Sequence, residues 1–250
     1  MEKITLRGID FDNVNIEEAI ALAEQALNKN YLTAVFTPNA EIAQLAVESP
    51  EIRDLLSRAN ILLPDGAGIV LASEILKKPL KEKVAGVDFG ERTLLLASQK
   101  DYPVFFLGGK PGIAELAAQR KTEQYPGLVI AGTQDGYFKK EGIENDAVIE
   151  KINRSGAKIL FVCLGAPTQE TWIDRNKDRL ISVKLAMGLG GALDVYAGIV
   201  RRAPQIFIRA RLEWFYRFLK EPRRIGRMMK LPKYILGTYR EKFSFSKKNH

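Results

Sequence analysis

The chain of 250 residues carries 38 Lys and Arg against 30 Asp and Glu, a formal charge of +8, and 46% of it is hydrophobic, which suits one large α/β domain or one domain with an appendage. Its single cysteine, Cys163, excludes an internal disulfide, and its single histidine, His250, excludes a Ser-His-Asp triad, a histidine base and a histidine-rich metal site. No secretory h-region and no apolar run of the roughly 20 residues that span a bilayer is present, so we expect a cytoplasmic protein with at most peripheral membrane contact.

The first half of the chain alternates helical and strand patterns. Asn15, with Glu18 three residues later, predicts a capped helix N-terminus. Short apolar runs predict strands at 32–36 and 61–63, and helices are predicted at 40–47, 50–58 and 67–76. Asp10-Phe11-Asp12 has the D-x-D spacing that many sugar transferases use to hold a metal, but its place before the first helix predicts a turn, and we expect no metal site.

The second half repeats the alternation. Strands are predicted at 104–107, 128–130, 159–164 and 183–187, with helices between them at 113–124 and 145–153 and another opening at 165–170. Cys163 lies in the apolar run 159–164, which predicts a buried thiol rather than a nucleophile. Strands alternating with helices indicate an α/β fold with a mostly parallel, Rossmann-like sheet that helices cover on both faces.

The last fifty residues differ sharply in charge from the rest. Residues 201–250 carry 15 Lys and Arg against 3 Glu, a formal charge of +12, so residues 1–200 sum to −4. The pattern there is helical without strands, and we expect an α/β domain at 1–200 and a C-terminal helical basic appendage at 201–250. Aromatic and aliphatic side chains interleave with the charges, which favours an anionic membrane surface or a nucleic acid, the alternative being a solvated helical cap.

Distinctive loops follow the predicted strands, and ligands of open parallel sheets bind at the carboxyl ends of the strands. These loops are 37–39, 64–66, 108–110, 165–170 and 188–191. Gly108-Gly109-Lys110 matches neither the dinucleotide fingerprint nor a Walker A loop, so it is either a phosphate-contacting loop suited to a nucleotide diphosphate or a plain turn. Asp65 and Asp194 are each either a carboxylate of the cleft or the cap of a following helix.

Several ordered motifs together resemble the WecG/TagA/CpsF glycosyltransferases, glycosyltransferase family 26. The resemblance runs from about Leu6 to Arg227. Its motifs are Thr37-Pro38-Asn39, Pro64-Asp65-Gly66, the segments 164–172 and 192–198, Arg202-Ala203-Pro204, and the tail segments 212–217 and 221–224. Thr168 departs from the family, which usually has lysine there, and this calls a charged contact to the donor into question.

The resemblance implies an inverting transfer of N-acetylmannosamine from a UDP-sugar, without a metal or a cofactor. The acceptor it implies is N-acetylglucosamine on undecaprenyl diphosphate, at its 4-hydroxyl, and this step commits the linkage unit of wall teichoic acid. Related members use other hexosamine or hexosaminuronic acid donors for other lipid-linked surface polysaccharides. An acceptor carried by a lipid would bring the enzyme to the inner face of the plasma membrane.

The resemblance also implies roles for individual residues. Asp65 becomes the candidate base on the acceptor hydroxyl, because histidine is not available. Hydrogen bonds to substrate hydroxyls are expected from Thr37, Asn39 and Gln169. The expected substrate-binding residues are Gly108, Gly109, Lys110, Gly190, Gly191 and Asp194, with Arg217, Arg224 and Arg227 of the tail on the acceptor diphosphate.

Three other classes of protein remain as alternatives. A Rossmann-type dehydrogenase would need the dinucleotide glycine pattern and an acidic residue about 20 residues later, which the sequence lacks. A nucleic-acid-binding protein would spread its basic charge along a groove, whereas here it is confined to the tail, so we expect no nucleic acid partner. A non-catalytic membrane adaptor would not need five loops at one sheet edge. Off the membrane, the apolar face of the tail would promote homo-oligomers.

Overall fold

The computed structural model describes residues 2–201, 203–204, 206–207, 215–216, 226 and 229–248. The chain begins with an antiparallel hairpin of β1 (Lys3–Leu6) and β2 (Ile9–Asp12). The prediction of a turn at Asp10-Phe11-Asp12 is therefore wrong. Phe11 is fully buried, and Asp12 accepts a hydrogen bond from the Leu62 N–H at 2.7 Å, so tertiary contacts hold this segment extended.

Among the described residues, six parallel strands form the central sheet, in the order β4-β3-β8-β7-β5-β6. Their bounds are β3 Thr33–Phe36, β4 Ile61–Leu62, β5 Val104–Gly108, β6 Ile130–Gln134, β7 Ile159–Cys163 and β8 Leu185–Gly188. Helices cover both faces of this sheet, so the predicted α/β fold with a Rossmann-like parallel sheet is confirmed.

Successive side chains of each strand point to opposite faces, and the described residues pack into two cores. The first core holds Phe36, Leu107 and Val162 under α2 (Ala40–Glu48), α3 (Pro50–Ser57), α4 (Ala67–Ile75), α7 (Ile143–Arg154) and α8 (Thr168–Asn176). The second core holds Phe106 and Phe161 under α1 (Ile16–Leu27), α5 (Gly86–Gln99), α6 (Ile113–Gln124) and α9 (Ala192–Tyr196). Five of the strands (β3, β4, β5, β7 and β8) are thus buried throughout, as in parallel sheets covered on both faces, and the edge strand β6 is half-buried.

Two elements differ from the sequence-based expectation. The run predicted as a strand at 128–130 mostly precedes β6, which occupies Ile130–Gln134, because pairing with β5 rather than hydrophobicity defines this half-buried edge strand. Helix α5 was not predicted at all. Its glycines, Gly86 and Gly90, obscure the helical pattern, but both lie buried against neighbouring side chains.

The last described helix, α10 (Lys230–Lys248), packs on α2 and α4. Tyr234 and Thr238 of this helix are fully buried, and Tyr234 belongs to the first core. From Lys230 to Lys248 the predicted appendage is therefore helical and contacts the sheet-bearing body. The division into two units at residue 200 stays a prediction. No helix within the described residues combines the length and the apolar character that crossing a bilayer demands.

Candidate active site

The loops singled out in the sequence meet at one edge of the sheet, because the strands before them are parallel. The chain leaves β5 toward β6 on one side and leaves β7 toward β8 on the other. A crevice forms where successive connections diverge in this way, and it is the usual ligand site of open α/β sheets. Gly108-Gly109 and Gly165 lie at this divergence, and Thr37 and Asp65 lie beyond it, in the loops that follow β3 and β4.

Asp65 does not cap the helix that follows it. The N-cap of α4 is Gly66, and no side chain caps this helix. The Asp65 carboxylate instead accepts a hydrogen bond from the Gly86 N–H at 3.3 Å, at the first residue of α5. The carboxylate, which is half-buried, is therefore held across a gap of 21 residues in sequence, at the positive end of a different helix.

Gly86 also brings Thr37 close to Asp65. A Cβ at Gly86 would lie 2.7 Å from Thr37 Oγ1, so only glycine fits between these two groups. The Thr37 hydroxyl donates to the Gly188 carbonyl at 3.0 Å, which joins the ends of β3 and β8. The structure therefore gathers Asp65, Thr37 and the turn after β8, as the sequence predicts, and adds Gly86, which sequence reasoning missed.

A cavity of about 260 Å³ lies beside the first turns of α5. Charged side chains of both signs line it: Glu82, Lys83, Asp88, Glu91 and Arg92, with Ile16. Its lining includes none of Thr37, Asp65 and Gly86, so this cavity is not part of the group of residues around Asp65.

Asn39 and Gln169 are engaged with the protein itself. Asn39 Oδ1 accepts hydrogen bonds from the N–H groups of Glu41 and Ile42, so Asn39 is the N-cap of α2. Gln169, only 3% exposed, accepts from the Gly190 N–H at 2.9 Å through Oε1 and donates to Glu170 through Nε2. Their predicted bonds to substrate hydroxyls stay predictions, and those of Gln169 would use the second hydrogen of its NH₂ group or the second lone pair of Oε1.

The turn after β5 makes a close approach to β7. Gly108 has φ of +130°, and its Cα lies so near the Cys163 carbonyl that no Cβ fits there. Lys110 is exposed, and α6 begins after Gly112 without a side-chain cap. Lys110 and the first turn of α6 therefore follow the carboxyl end of β5, and an exposed lysine beside a helix N-terminus can bind phosphate, although the Ile113 N–H already donates to the Lys110 carbonyl.

An exposed aromatic side chain lies beside this turn. The Gly136 N–H donates to the Gly109 carbonyl at 2.9 Å, and the next residue, Tyr137, is 70% exposed. An aromatic ring at a nucleotide-type crevice offers a stacking surface for a base. Sequence reasoning missed Tyr137 because the signal, one tyrosine in a polar loop after a weak strand, becomes visible only when β6 is placed beside β5.

Asp194 and the last glycine turn complete this edge of the sheet. Gly191 is the N-cap of α9, and Asp194 lies in its first turn, half-buried. Burial, with a smaller contribution from the Asp194 charge, raises the pKa of the Cys163 thiol to about 12. The prediction of a buried thiol is confirmed, and a raised pKa disfavours the nucleophilic thiolate.

Two predictions remain untested by these contacts. Arg217, Arg224 and Arg227 lie outside the described residues. Within the described ranges, no three His, Cys, Asp or Glu side chains are grouped as metal ligands, and the absence of a metal from the reaction stays a prediction.

A parallel sheet with helices on both faces and polar loops at the carboxyl ends of its strands defines a Rossmann-like α/β protein. A protein-family model described as the glycosyl transferase WecG/TagA/CpsF family matches residues 4–248. The chain belongs to this family and is a glycosyltransferase, which confirms the resemblance found in the sequence.

Relatives of known name match along almost their whole length. A Bacillus spizizenii protein is 35% identical over 251 residues, covering 100% of this chain and 96% of its own. A Bacillus subtilis protein is 35% identical over 242 residues, covering 96% and 93%, and a Staphylococcus aureus protein is 31% identical over 250 residues, covering 98% and 95%. Each is named N-acetylglucosaminyldiphosphoundecaprenol N-acetyl-beta-D-mannosaminyltransferase.

Proposed function

We propose that this chain transfers N-acetylmannosamine from UDP-N-acetylmannosamine to the 4-hydroxyl of N-acetylglucosamine on undecaprenyl diphosphate, with inversion and without a metal ion. The observation that carries the proposal is the full-length similarity to relatives whose name states the acceptor and the sugar transferred. The reaction would form the linkage unit of wall teichoic acid.

The proposed reaction is a direct displacement. The acceptor hydroxyl loses its proton to the Asp65 carboxylate while its oxygen bonds to the anomeric carbon of the donor. The bond from that carbon to the UDP oxygen breaks, and UDP leaves with the electron pair. A positioned general base contributes about 10²–10⁴-fold in rate. The Gly86 N–H supports this role because it fixes the carboxylate at the sheet edge.

The donor would lie along the sheet edge toward β5. Its uracil would stack on Tyr137, and its α-phosphate would bind at Lys110 and the start of α6. Neighbouring strands are about 4.8 Å apart, so β4 and β5, four places apart in the sheet, are separated by about 19 Å. Because the β-phosphate is bonded to the anomeric carbon that the acceptor attacks, it would lie nearer Asp65, at the Gly188–Gly191 turn after β8, which is two places from β4.

The acceptor lipid requires contact with a membrane, and α10 carries a suitable face. Leu236, Tyr239 and Phe243 are 54%, 43% and 65% exposed, and Lys233 and Arg240 are exposed beside them. Apolar and basic side chains together suit an anionic lipid surface. We therefore place the protein at the inner face of the plasma membrane, with Arg217, Arg224 and Arg227 proposed for the acceptor diphosphate.

The test is release of UDP from a panel of UDP-sugars in the presence of a lipid-diphosphate-N-acetylglucosamine analogue. We expect release only with both substrates and with UDP-N-acetylmannosamine, unchanged by a chelator. Asp65→Asn should lower kcat by about 10²–10⁴-fold while folding and UDP binding persist. Asp54→Asn, an exposed aspartate on α3, is the matched control and should leave the rate unchanged.

Each part of the proposal has its own contradicting outcome. Near-normal turnover of Asp65→Asn would remove Asp65 as the base. Preference for another UDP-hexosamine or a UDP-hexosaminuronic acid would assign the chain to a related surface polysaccharide. Loss of rate on chelation, restored by a divalent cation, would contradict the metal-independent reaction.

A further inference from the structure

Glu170 is a buried carboxyl that fold stability alone does not explain. It lies in the first turn of α8 and is 2% exposed. Its Oε1 accepts a hydrogen bond from Gln169 Nε2 at 2.9 Å, but its Oε2 has no hydrogen-bond partner among the described residues. Burial raises the pKa of this carboxyl. An incompletely paired buried carboxyl costs free energy that an apolar side chain would avoid.

The contact with Glu170 decides which way the Gln169 amide faces. A side-chain amide has one accepting oxygen and one donating NH₂ group. Because Glu170 Oε1 takes the NH₂ group, the Gln169 oxygen is left facing the Gly190 N–H, from which it accepts at 2.9 Å. Without the carboxyl, only the Gly190 N–H would favour this orientation, because the reversed amide sets NH₂ against N–H.

The turn that Gln169 holds is fitted closely to it. A Cβ at Gly188 would lie 3.0 Å from Gln169 Nε2, and the Thr37 hydroxyl holds the Gly188 carbonyl from the other side. Thr37 in turn lies against Gly86, whose N–H binds Asp65. Displacement of the turn would thus be transmitted to the candidate catalytic residues.

We propose that Glu170 is a positioning residue, which orients the Gln169 amide and thereby fixes the Gly188–Gly191 turn against Thr37. The effect on turnover rests on the proposed transferase function of this site. The structural link from Glu170 to the Gly190 N–H does not depend on that function, so the link and the effect on turnover are measured separately.

The structural link is tested by hydrogen exchange of the Gly190 N–H, followed by NMR. Glu170→Met keeps the volume but removes the acceptor, and we expect exchange at Gly190 to rise about 10-fold. Glu170→Gln can offer its carbonyl oxygen to the same NH₂ group and should restore protection. Asn176→Leu, at another buried polar position of α8, is the matched control and should leave Gly190 unchanged.

Turnover supplies the second measurement. Glu170→Met should lower kcat/KM for the UDP-sugar by about 10-fold, Glu170→Gln should keep it, and in a Gln169→Ala background Glu170→Met should cost little further. If the wild type releases no UDP, the proposed function is contradicted. The hydrogen-exchange measurement still tests the structural link from Glu170 to Gly190, because it does not depend on turnover.

Unchanged Gly190 exchange in a folded Glu170→Met variant would overturn the proposal, as would fully additive effects in the double variant. If Glu170→Met does not fold, Glu170→Asp serves instead. It keeps the acid but withdraws the carboxyl by one carbon–carbon bond, about 1.5 Å, and should raise Gly190 exchange in the same way. Wild-type exchange in that variant would equally overturn the proposal.

Discussion

Asp65 differs from the polar residues that precede other helices of this protein. Asn15 and Asn39 each accept N–H groups of the helix that follows them. Asp65 stands before α4 in the same way, but its carboxylate reaches the start of α5. The Asp65 side chain therefore lies between the start of α4 and the start of α5, where a substrate can reach it.

Tyr137 permits a test of the proposed donor site with one substitution. Tyr137→Ala should raise KM for the UDP-sugar about 5- to 150-fold with little change in kcat, because loss of base stacking costs about 1–3 kcal/mol. Initial rates of UDP release at varied donor concentration would measure it. Tyr31→Ala, which removes another exposed tyrosine (56%) before β3, is the control.

An unchanged donor KM in Tyr137→Ala would place the base elsewhere along the sheet edge. A fall in kcat at constant KM would instead connect the 135–142 loop with the chemical step.

For individual residues, prediction from the sequence succeeded where the contact joins residues close together in the chain. The capping box of Asn15 and Glu18 is present because its partners lie three residues apart. The bond from Gly190 to Gln169 joins residues 21 apart, and that from Thr37 to Gly188 joins residues 151 apart. Pairings of this kind depend on the order of strands in the sheet, which no local pattern contains.

At the scale of elements, α10 is attached to the body by charge as well as by burial. Glu48, at the end of α2, accepts from Lys230 Nζ at 2.8 Å and from Lys233 Nζ at 2.6 Å. Hydrogen bonds from Lys230, Lys233 and Gln44 lower the pKa of Glu48 from 4.5 to about 2. The ionised carboxylate therefore binds α10 better than the protonated form.

This lowered pKa predicts an acid-sensitive contact. A carboxyl whose folded pKa is depressed stabilises the fold above its unfolded pKa, and the stabilisation is lost as pH falls from 4.5 to about 2. Glu48→Gln should lower Tm at pH 6 by about 2–4 °C, and the difference from wild type should vanish toward pH 2. Thermal unfolding of both proteins across this pH range would measure it.

Glu150→Gln removes a solvent-exposed carboxylate of α7, paired with Arg154, and serves as the control, with little expected change. A Tm difference for Glu48→Gln that stays constant down to pH 2 would show that the Glu48 charge does not hold α10.

Prediction of elements failed where tertiary contacts outweigh local patterns. The order of strands and helices through 104–188 follows from apolar runs bounded by glycine. Local patterns do not predict the hairpin strand β2 or helix α5. Phe11 of β2 is buried by long-range packing, and Gly90 of α5 is needed because a Cβ there would clash with Tyr196 and Leu189. Helix α10 was expected within a tail, but the burial of its Tyr234 depends on contacts with α2 and α4, which lie far away in the sequence.

At the scale of the whole molecule, charge is strongly asymmetric along the chain. Residues 201–250 carry +12 of formal charge, whereas the rest carries −4. Removing the entire tail, the obvious test of membrane binding, would also strip α10 from α2 and α4 and expose the first core. Substitutions on the outer face of α10 separate docking from folding.

We expect Leu236→Ser combined with Phe243→Ser to weaken binding to anionic vesicles at least about 10-fold, because both exposed apolar side chains would lose their burial in lipid. Turnover on a lipid-linked acceptor should fall in parallel, while turnover on a short, water-soluble acceptor persists. Sedimentation with phosphatidylglycerol vesicles would measure the binding.

Ile181→Ser is the matched control, since Ile181 is 77% exposed but precedes β8 at the amino edge of the sheet. Wild-type vesicle binding by the α10 double variant would show that this face does not dock on the membrane.

The packing of α10 also has a consequence for how the protein is made. Helices α2 and α4 leave the ribosome early, but the helix that covers them follows α4 by more than 150 residues. At about 5–20 residues per second, that interval lasts roughly 8–30 s. Throughout it, the side of α2 and α4 that receives Tyr234 faces water or a chaperone, so nascent chains should be most prone to aggregate just before α10 emerges.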